Sequence, residues 1–236
     1  MRILGSLIVV VSVLAAAPVQ AQNDVTIDGA MADWADETCS PDDTCDDFPN
    51  QQDAKGACIA TDFASNQPAT TAFLRFDFDD TSIGGANTLD GCWLVDIDQN
   101  GNVDIALCFS LSGNPATLLD SFLYTCNDSS ATSCGGPTPV FLSETCISNN
   151  TTTLGEKLFE CADGADLAVE CSVLLTDLGW TSGSITLLKS CSSTSAQPNS
   201  ATFDCLLDAE TGTPWVLNPN TGGAALPVEL NSFTIE

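Results

Sequence analysis

The feature that most constrains this 236-residue chain is its twelve cysteines. The number is even, and no two cysteines have the Cys-x-x-Cys spacing that is typical of zinc ribbons and redox motifs. In an oxidising compartment such a set forms disulfides that stabilise a loop-rich domain. Twelve cysteines allow up to six bridges, and the shortest loops favour Cys39 with Cys45 and Cys126 with Cys134.

The N-terminus predicts such a compartment. Met1 and Arg2 are followed by an apolar run over residues 3–17 and by small residues that lead to Ala21. This is the layout of a secretory signal peptide, which we predict over residues 1–21. An uncleaved membrane anchor is the alternative, but a span needs about 20 apolar residues. We therefore expect a secreted protein, either extracellular or at the cell surface, without membrane insertion.

Charge and residue types limit the function further. The chain has 32 acidic and 5 basic residues, which gives a formal net charge of −27. Nucleic acid is therefore not an expected partner, since no basic patch can form. Histidine is absent, which excludes Ser-His-Asp catalysis, Cys-His catalysis and His-ligated metals. We expect no enzyme, and a glycoside hydrolase with paired carboxylates is a remote alternative.

Short β-type runs separated by Gly, Asn, Asp, Ser and Pro clusters dominate the rest of the chain. They predict an all-β fold, an antiparallel β-sandwich with jelly-roll or immunoglobulin-like layering, stapled by disulfides. The runs cover residues 25–27, 72–78, 92–97, 104–111, 121–125, 167–175 and 184–188.

One of these runs shows a two-sided pattern. Leu74, Phe76 and Phe78 alternate with Arg75, Asp77 and Asp79. The apolar set is expected to face the core, and the charged set to face water or a site.

The domain boundaries follow from composition. We expect one β-sandwich domain over residues 22–210. Residues 211–236 have three prolines and no cysteine, which predicts a linker and then a short terminal strand over residues 228–235.

The most specific motif lies at residues 96–104. Asp96, Asp98, Asn100 and Asp104 stand at positions one, three, five and nine of the loop, and Gly101 stands at position six. This spacing is typical of a calcium loop. We predict that Ca²⁺ is bound by these four side chains and by the backbone carbonyl of Asn102.

The motif departs from an EF-hand in two ways. Position twelve is Leu107 instead of Glu, and the flanking segments are strands. The prediction is an EF-like loop at the tip of a β-hairpin, with a last carboxylate from Asp79, Asp80 or Asp90. The alternative is an Asp/Asn/Gly-rich turn that binds no metal.

The hairpin register gives a further prediction. With Asn100 at the centre, Asp96 opposes Asp104, and Cys92 opposes Cys108. Opposed like charges are unfavourable unless a cation lies between them. Opposed cysteines are within bridging distance, so we predict a Cys92–Cys108 disulfide.

Aromatic side chains are candidates for a sugar-binding platform, although a Trp in a sandwich strand is more often part of the core. The candidates are Trp34, Trp93, Trp180, Trp215 and Tyr124.

Three segments resemble a known group of modules. Residues 25–34 (VTIDGAMADW), 72–80 (AFLRFDFDD) and 168–179 (AVECSVLLTDLG) resemble the opening, central and late strands of family-nine-type carbohydrate-binding modules and DOMON-like sandwiches. The CWLVDID segment at 92–98 is similar to a hairpin of cysteine-rich secreted bacterial proteins. The resemblance implies a β-sandwich, a bacterial source and binding of polysaccharide or cell-surface glycan.

Together these observations predict a secreted calcium-binding β-sandwich module that binds polysaccharide or cell-surface glycan. The alternative is a structural protein of the extracellular matrix or cell envelope, in which calcium is purely stabilising.

Overall fold

A computed structural model of the chain describes residues 25–29, 33–34, 38–41, 54–63, 69–78, 88–140, 145–151, 166–206, 215–218 and 224–225. The predicted signal peptide and the predicted strand at 228–235 lie outside these ranges. The strands are β1 (Thr38–Pro41), β2 (Ala54–Thr61), β3 (Thr71–Phe78), β4 (Leu89–Asp96), β5 (Ile105–Gly113), β6 (Ala116–Thr125), β7 (Thr138–Val140), β8 (Thr145–Thr151), β9 (Asp166–Leu174), β10 (Ile185–Ser193), β11 (Thr202–Leu206), β12 (Trp215–Leu217) and β13 (Ala224–Ala225).

The strands form two antiparallel sheets that pack as a sandwich, which confirms the predicted fold class. The first sheet has the order β1-β2-β3-β9-β8. The second has the order β13-β12-β10-β4-β5-β6-β7, and β11 also pairs with β10. Among the described residues there is no helix that is long and apolar enough to cross a membrane.

The core between the sheets is centred on aromatic rings. The ring of Phe76 on β3 lies 6.1 Å from Trp93 on β4 and 5.7 Å from Phe109 on β5, centroid to centroid, both edge to face. Leu74, Phe76 and Phe78 all face this core, as their alternation predicts.

Gly91 makes room for one of these rings, and this gives a first prediction. A Cβ atom at Gly91 would lie 2.5 Å from Cζ of Phe109. We expect Gly91→Ala to destabilise the fold by about 1–3 kcal/mol, the usual cost of overpacking a core. Urea denaturation would measure the loss. The double variant Gly91→Ala/Phe109→Leu should recover part of it, and simple additivity of the two losses would contradict the proposed clash.

The outer face of the first sheet is also buried. Arg75 and Asp77 were predicted to face water or a site. They are instead buried, with exposed fractions of 2% and 5%. Nε of Arg75 donates to Asp77 at 2.9 Å, and its Nη1 donates to Glu170, which is fully buried. The carboxylate of Glu170 also accepts hydrogen bonds from Trp34 Nε1 at 3.0 Å and from the Gly29 backbone N–H at 2.8 Å.

This buried charged network joins the three segments that carry the family resemblance. Trp34 belongs to the first segment, Arg75 to the second and Glu170 to the third. The sequence predicted a strand at residues 25–27, and that prediction is wrong, because residues 25–29 form no strand. Their backbone is held by a turn and by the Asp33 carboxylate, which accepts from the Thr26 N–H at 2.6 Å.

Disulfides connect neighbouring strands. The described bridges are Cys39–Cys58, Cys92–Cys108, Cys126–Cys134, Cys146–Cys171 and Cys191–Cys205. All but Cys126–Cys134 join directly opposed residues of paired strands. Among the described residues no cysteine is free. Such a set of bridges indicates an oxidising, extracellular-type environment.

Two of the three predicted bridges are present, Cys92–Cys108 and Cys126–Cys134. The prediction of Cys39 with Cys45 is wrong, because pairing of β1 with β2 brings Cys39 opposite Cys58, with the Cα atoms 4.1 Å apart. Short sequence separation gave no information about this pairing. Cys45 itself lies outside the described residues.

The segment predicted as linker contributes to the second sheet. β12 pairs with β10, and β13 pairs with β12. A strand of only three residues among prolines is too short to show a two-residue alternation, which is why the sequence did not predict it.

Candidate metal centre

The metal loop, defined as residues 96–104, connects β4 to β5. Cys92 opposes Cys108, and Val95 opposes Ile105, which is the register predicted with Asn100 at the centre. The backbone N–H of Asp104 donates to the Val95 carbonyl at 3.0 Å. Pairing of β4 with β5 therefore fixes the two ends of the loop. The Cys92–Cys108 bridge, three residues further along each strand, fixes them covalently.

Three carboxylates of this loop converge. One oxygen each of Asp96, Asp98 and Asp104 lies within 4.8 Å of the others. Calcium holds its oxygen ligands at about 2.3–2.6 Å, so two ligands of one ion are at most about 5 Å apart. The triad, defined as Asp96, Asp98 and Asp104, thus has the spacing that a single hard cation requires.

Backbone N–H groups orient all three carboxylates, and Asp98 accepts from the Asn100 N–H at 3.1 Å. Asp96 accepts from Gln99 at 2.6 Å and from Gly101 at 2.8 Å. Asp104 accepts from Ile97 at 2.7 Å with its Oδ2 atom. Gly101 has a φ angle of 88°, which glycine adopts without steric cost. The loop backbone therefore holds the carboxylates in place.

A second loop supports the first. The Asn100 side-chain amide donates to Asp128 at 2.7 Å and to Asp98 at 3.1 Å. The Val103 N–H donates to the Ser130 carbonyl at 2.8 Å. This supporting loop, residues 126–134, is closed by the Cys126–Cys134 bridge. Asp128 adds a fourth acidic group beside the triad.

The local electrostatics are unfavourable for carboxylates without a counter-ion. Burial raises the pKa of Asp104, and the charges of Asp98 and Asp128 raise it further. Hydrogen bonds from the backbone of Ile97 and Asp98 lower the pKa, but they do not reverse the shift. A bound cation would supply the missing positive charge.

The remaining predicted ligands have different outcomes. The Asn100 side-chain oxygen accepts the Asn102 N–H at 2.8 Å, so Asn100 organises the loop, and its ligation of a cation stays a prediction. The same holds for the Asn102 carbonyl. Asp90 accepts from the Thr88 hydroxyl at 2.6 Å near the opposite end of β4. Asp90 lies six residues before Asp96 on the same strand, which separates the two residues by about 20 Å. The prediction that Asp90 could supply the last carboxylate is therefore wrong. Asp79 and Asp80 lie outside the described residues.

The aromatic candidates for a sugar platform are mostly enclosed. Trp34, Trp93 and Tyr124 are buried. Trp180 is half-buried, and its Nε1 donates to the Gly183 carbonyl at 3.2 Å. The side chain of Trp215 is outside the described part of the chain. Of the candidates with described side chains, only Trp180 keeps partial exposure.

No protein-family profile, curated protein or solved structure matched this chain at a significant level. Function is therefore inferred from the geometry of the loop and its surroundings.

Proposed function

We propose that this protein is an extracellular β-sandwich that binds one Ca²⁺ ion through the triad. The observation that carries the proposal is the convergence of three carboxylate oxygens within 4.8 Å. All available donors are oxygens, since histidine is absent and the described cysteines are bonded in disulfides. Oxygen-only sites suit hard cations such as calcium.

The ion has a stabilising role in this proposal. Asp96 is 2% exposed, and Asp98, Asp104 and Asp128 stand close by, so their mutual repulsion disfavours the folded loop. Extracellular modules bind calcium with dissociation constants of about 10⁻⁴–10⁻³ M. At millimolar calcium the tighter end of this range stabilises the fold by about 1.4 kcal/mol through mass action.

Burial of the aromatic candidates favours one of the two biological roles. A sugar-stacking platform needs exposed rings, whereas Trp34, Trp93 and Tyr124 are buried. We therefore favour a structural component of the extracellular matrix or cell envelope, stabilised by calcium. Among the side chains that the structure describes, binding of polysaccharide or cell-surface glycan, which the family resemblance implies, would use Trp180 or the metal loop.

The double variant Asp96→Asn/Asp104→Asn tests the metal site. The variant removes two charges from the triad. At position 104 asparagine keeps the oxygen that accepts both backbone hydrogen bonds. At position 96 it keeps one of the two acceptors that bond Gln99 and Gly101, so the comparison between calcium and chelator is made within the variant. We expect chelation to lower the melting temperature of the wild type by about 3–6 °C, since about 1.4 kcal/mol has this effect in a chain of this size. The melting temperature of the variant should not change on chelation. Differential scanning fluorimetry in millimolar calcium and in chelator measures both.

The matched control is Asp120→Asn, an exposed acid on β6 outside the metal loop, which should respond to calcium like the wild type. Equal melting temperatures of the wild type in calcium and chelator would contradict the proposed site. A pull-down on insoluble polysaccharides and cell envelopes distinguishes the two roles, since calcium-dependent retention on one glycan would favour the lectin-like role.

A further inference from the structure

Four cysteines stand in one row across four neighbouring strands of the second sheet. Cys205 on β11 opposes Cys191 on β10, Cys191 opposes Cys92 on β4, and Cys92 opposes Cys108 on β5. The structure pairs them as Cys191–Cys205 and Cys92–Cys108. The two bridges therefore lie end to end, with Cys92 and Cys191 as inner neighbours.

The distance between the inner neighbours follows from antiparallel geometry. The Cα atoms are 4.0 Å apart in Cys92–Cys108 and 4.1 Å apart in Cys191–Cys205, as in non-hydrogen-bonded pairs. The N–H and C=O of one residue point to the same side of a strand, so Cys92 and Cys191 form the hydrogen-bonded pair between the bridges. Such pairs have Cα atoms about 5.5 Å apart, within the range of a disulfide.

The inner cysteines also share one environment on the outer side of the sheet. Cys92 and Cys191 line the same cavity of about 30 Å³, together with Leu94, Ser133 and Gln197. The two side chains therefore point to the same face of the sheet.

We propose that these two bridges form an exchange pair, in which reduction of one leads to a new Cys92–Cys191 disulfide. The reductant is an external dithiol. The product has one bridge between β4 and β10, and free thiols at Cys108 and Cys205.

The accessible end of the row determines the order of steps. Cys205 is partly exposed, whereas Cys191, Cys92 and Cys108 are 2%, 4% and 0% exposed. A thiolate of the dithiol attacks the Cys205 sulfur, forms a mixed disulfide and releases the Cys191 thiolate. The Cys191 thiolate then attacks the Cys92 sulfur, forms the Cys92–Cys191 bond and releases the Cys108 thiolate, which takes a proton.

The second thiol of the dithiol completes the balance. It displaces Cys205 from the mixed disulfide, so the dithiol leaves as its cyclic disulfide, and Cys205 takes up a proton. Two electrons pass from the dithiol to the protein, and one of the two original bridges is lost. The attacking Cys191 sulfur, the Cys92 sulfur and the leaving Cys108 sulfur lie along one row across the strands, which suits an in-line displacement.

The exchange changes which strands are cross-linked. The β4–β5 hairpin loses its covalent link and keeps its backbone hydrogen bonds, and β4 becomes tied to β10. Since the sheet register already places the inner pair face to face, the exchange requires no change of strand order.

Limited reduction of the native protein tests the proposal. The protein is treated with substoichiometric dithiothreitol at neutral pH, quenched with acid, alkylated with N-ethylmaleimide, and mapped by mass spectrometry after digestion at low pH. We expect most once-reduced molecules to carry a Cys92–Cys191 peptide pair and label on Cys108 and Cys205. Label on both partners of one native bridge, or random mispairing with cysteines outside the row, would overturn the proposal.

Two variants make the test independent of reduction rates. Cys108→Ser/Cys205→Ser leaves only the inner pair of the row and should oxidise spontaneously to Cys92–Cys191. Two free thiols in this folded variant would overturn the proposal. Cys191→Ser/Cys205→Ser is the matched control, in which reduction should label Cys92 and Cys108 together. If the first variant does not fold, the limited reduction of the wild type still decides.

Discussion

Replacement of Glu170 by alanine is expected to destabilise the fold by about 3–5 kcal/mol, because it leaves Arg75 buried without its main counter-charge. The same change removes the acceptor for Trp34 Nε1 and for the Gly29 N–H. A buried donor without a partner costs about 1–3 kcal/mol. Gly29 and Trp34 would therefore lose these hydrogen bonds to the first sheet. Urea denaturation followed by tryptophan fluorescence measures the loss.

Two further variants separate the charge from general damage. Glu170→Gln keeps the shape and one oxygen acceptor, so we expect a smaller loss than with alanine. Asp120→Ala, at an exposed position of β6, should change stability by no more than about 0.5 kcal/mol. A Glu170→Ala variant within 1 kcal/mol of the wild type, a threshold at the low end of buried-group effects, would contradict the structural role of the network.

Complete reduction of the disulfides is expected to abolish cooperative unfolding. Each bridge is worth roughly 2–4 kcal/mol, whereas a whole domain is typically stable by about 5–15 kcal/mol. The described bridges close loops of 8 to 25 residues in sequence separation. A reduced and alkylated protein that still melted in one sharp calorimetric transition near the oxidised melting temperature would contradict this expectation.

Removal of single bridges should lower the free energy of unfolding by different amounts, depending on the length of the loop that each bridge closes. Cys146–Cys171 spans 25 residues, and Cys126–Cys134 spans 8. Loop-closure entropy predicts that serine replacement of the longer pair costs about 1 kcal/mol more than replacement of the shorter pair. The shorter pair, however, supports the metal loop, so this comparison is made in chelator.

Much of the fold could be predicted from local alternation. Leu74, Phe76 and Phe78 predicted β3 and its core face, because each strand residue points opposite to the next. β2, with the sequence AKGACIAT, was not predicted. Most of its residues are small and both of its faces are buried, so neither hydrophobicity nor alternation marks it. Burial of Arg75 could not be predicted either, since it depends on Glu170, 95 residues further along.

In the candidate site too, features that depend on local sequence could be predicted, and features that depend on distant residues could not. The spacing of Asp96, Asp98 and Asp104 was sufficient to predict the triad, because all three lie in one turn. Asp128 lies 28 residues from Asn100 in a loop without a recognisable metal-binding motif, so only tertiary structure brings it to the site. Cys39 was assigned the wrong partner for a related reason, since its true partner is defined by strand pairing and not by loop length.

The most direct test of the proposed calcium site is a calcium titration of chelator-treated protein, followed by ¹H–¹⁵N NMR at the amides of Ile97, Gln99 and Gly101. These N–H groups donate to the carboxylates of Asp96 and Asp104. The proposal predicts that their signals shift together and saturate with a dissociation constant of about 10⁻⁴–10⁻³ M, and that Asp96→Asn/Asp104→Asn abolishes the shifts. Signals that stay unchanged up to about 10 mM calcium, well above that range, would show that the loop is a turn that binds no calcium.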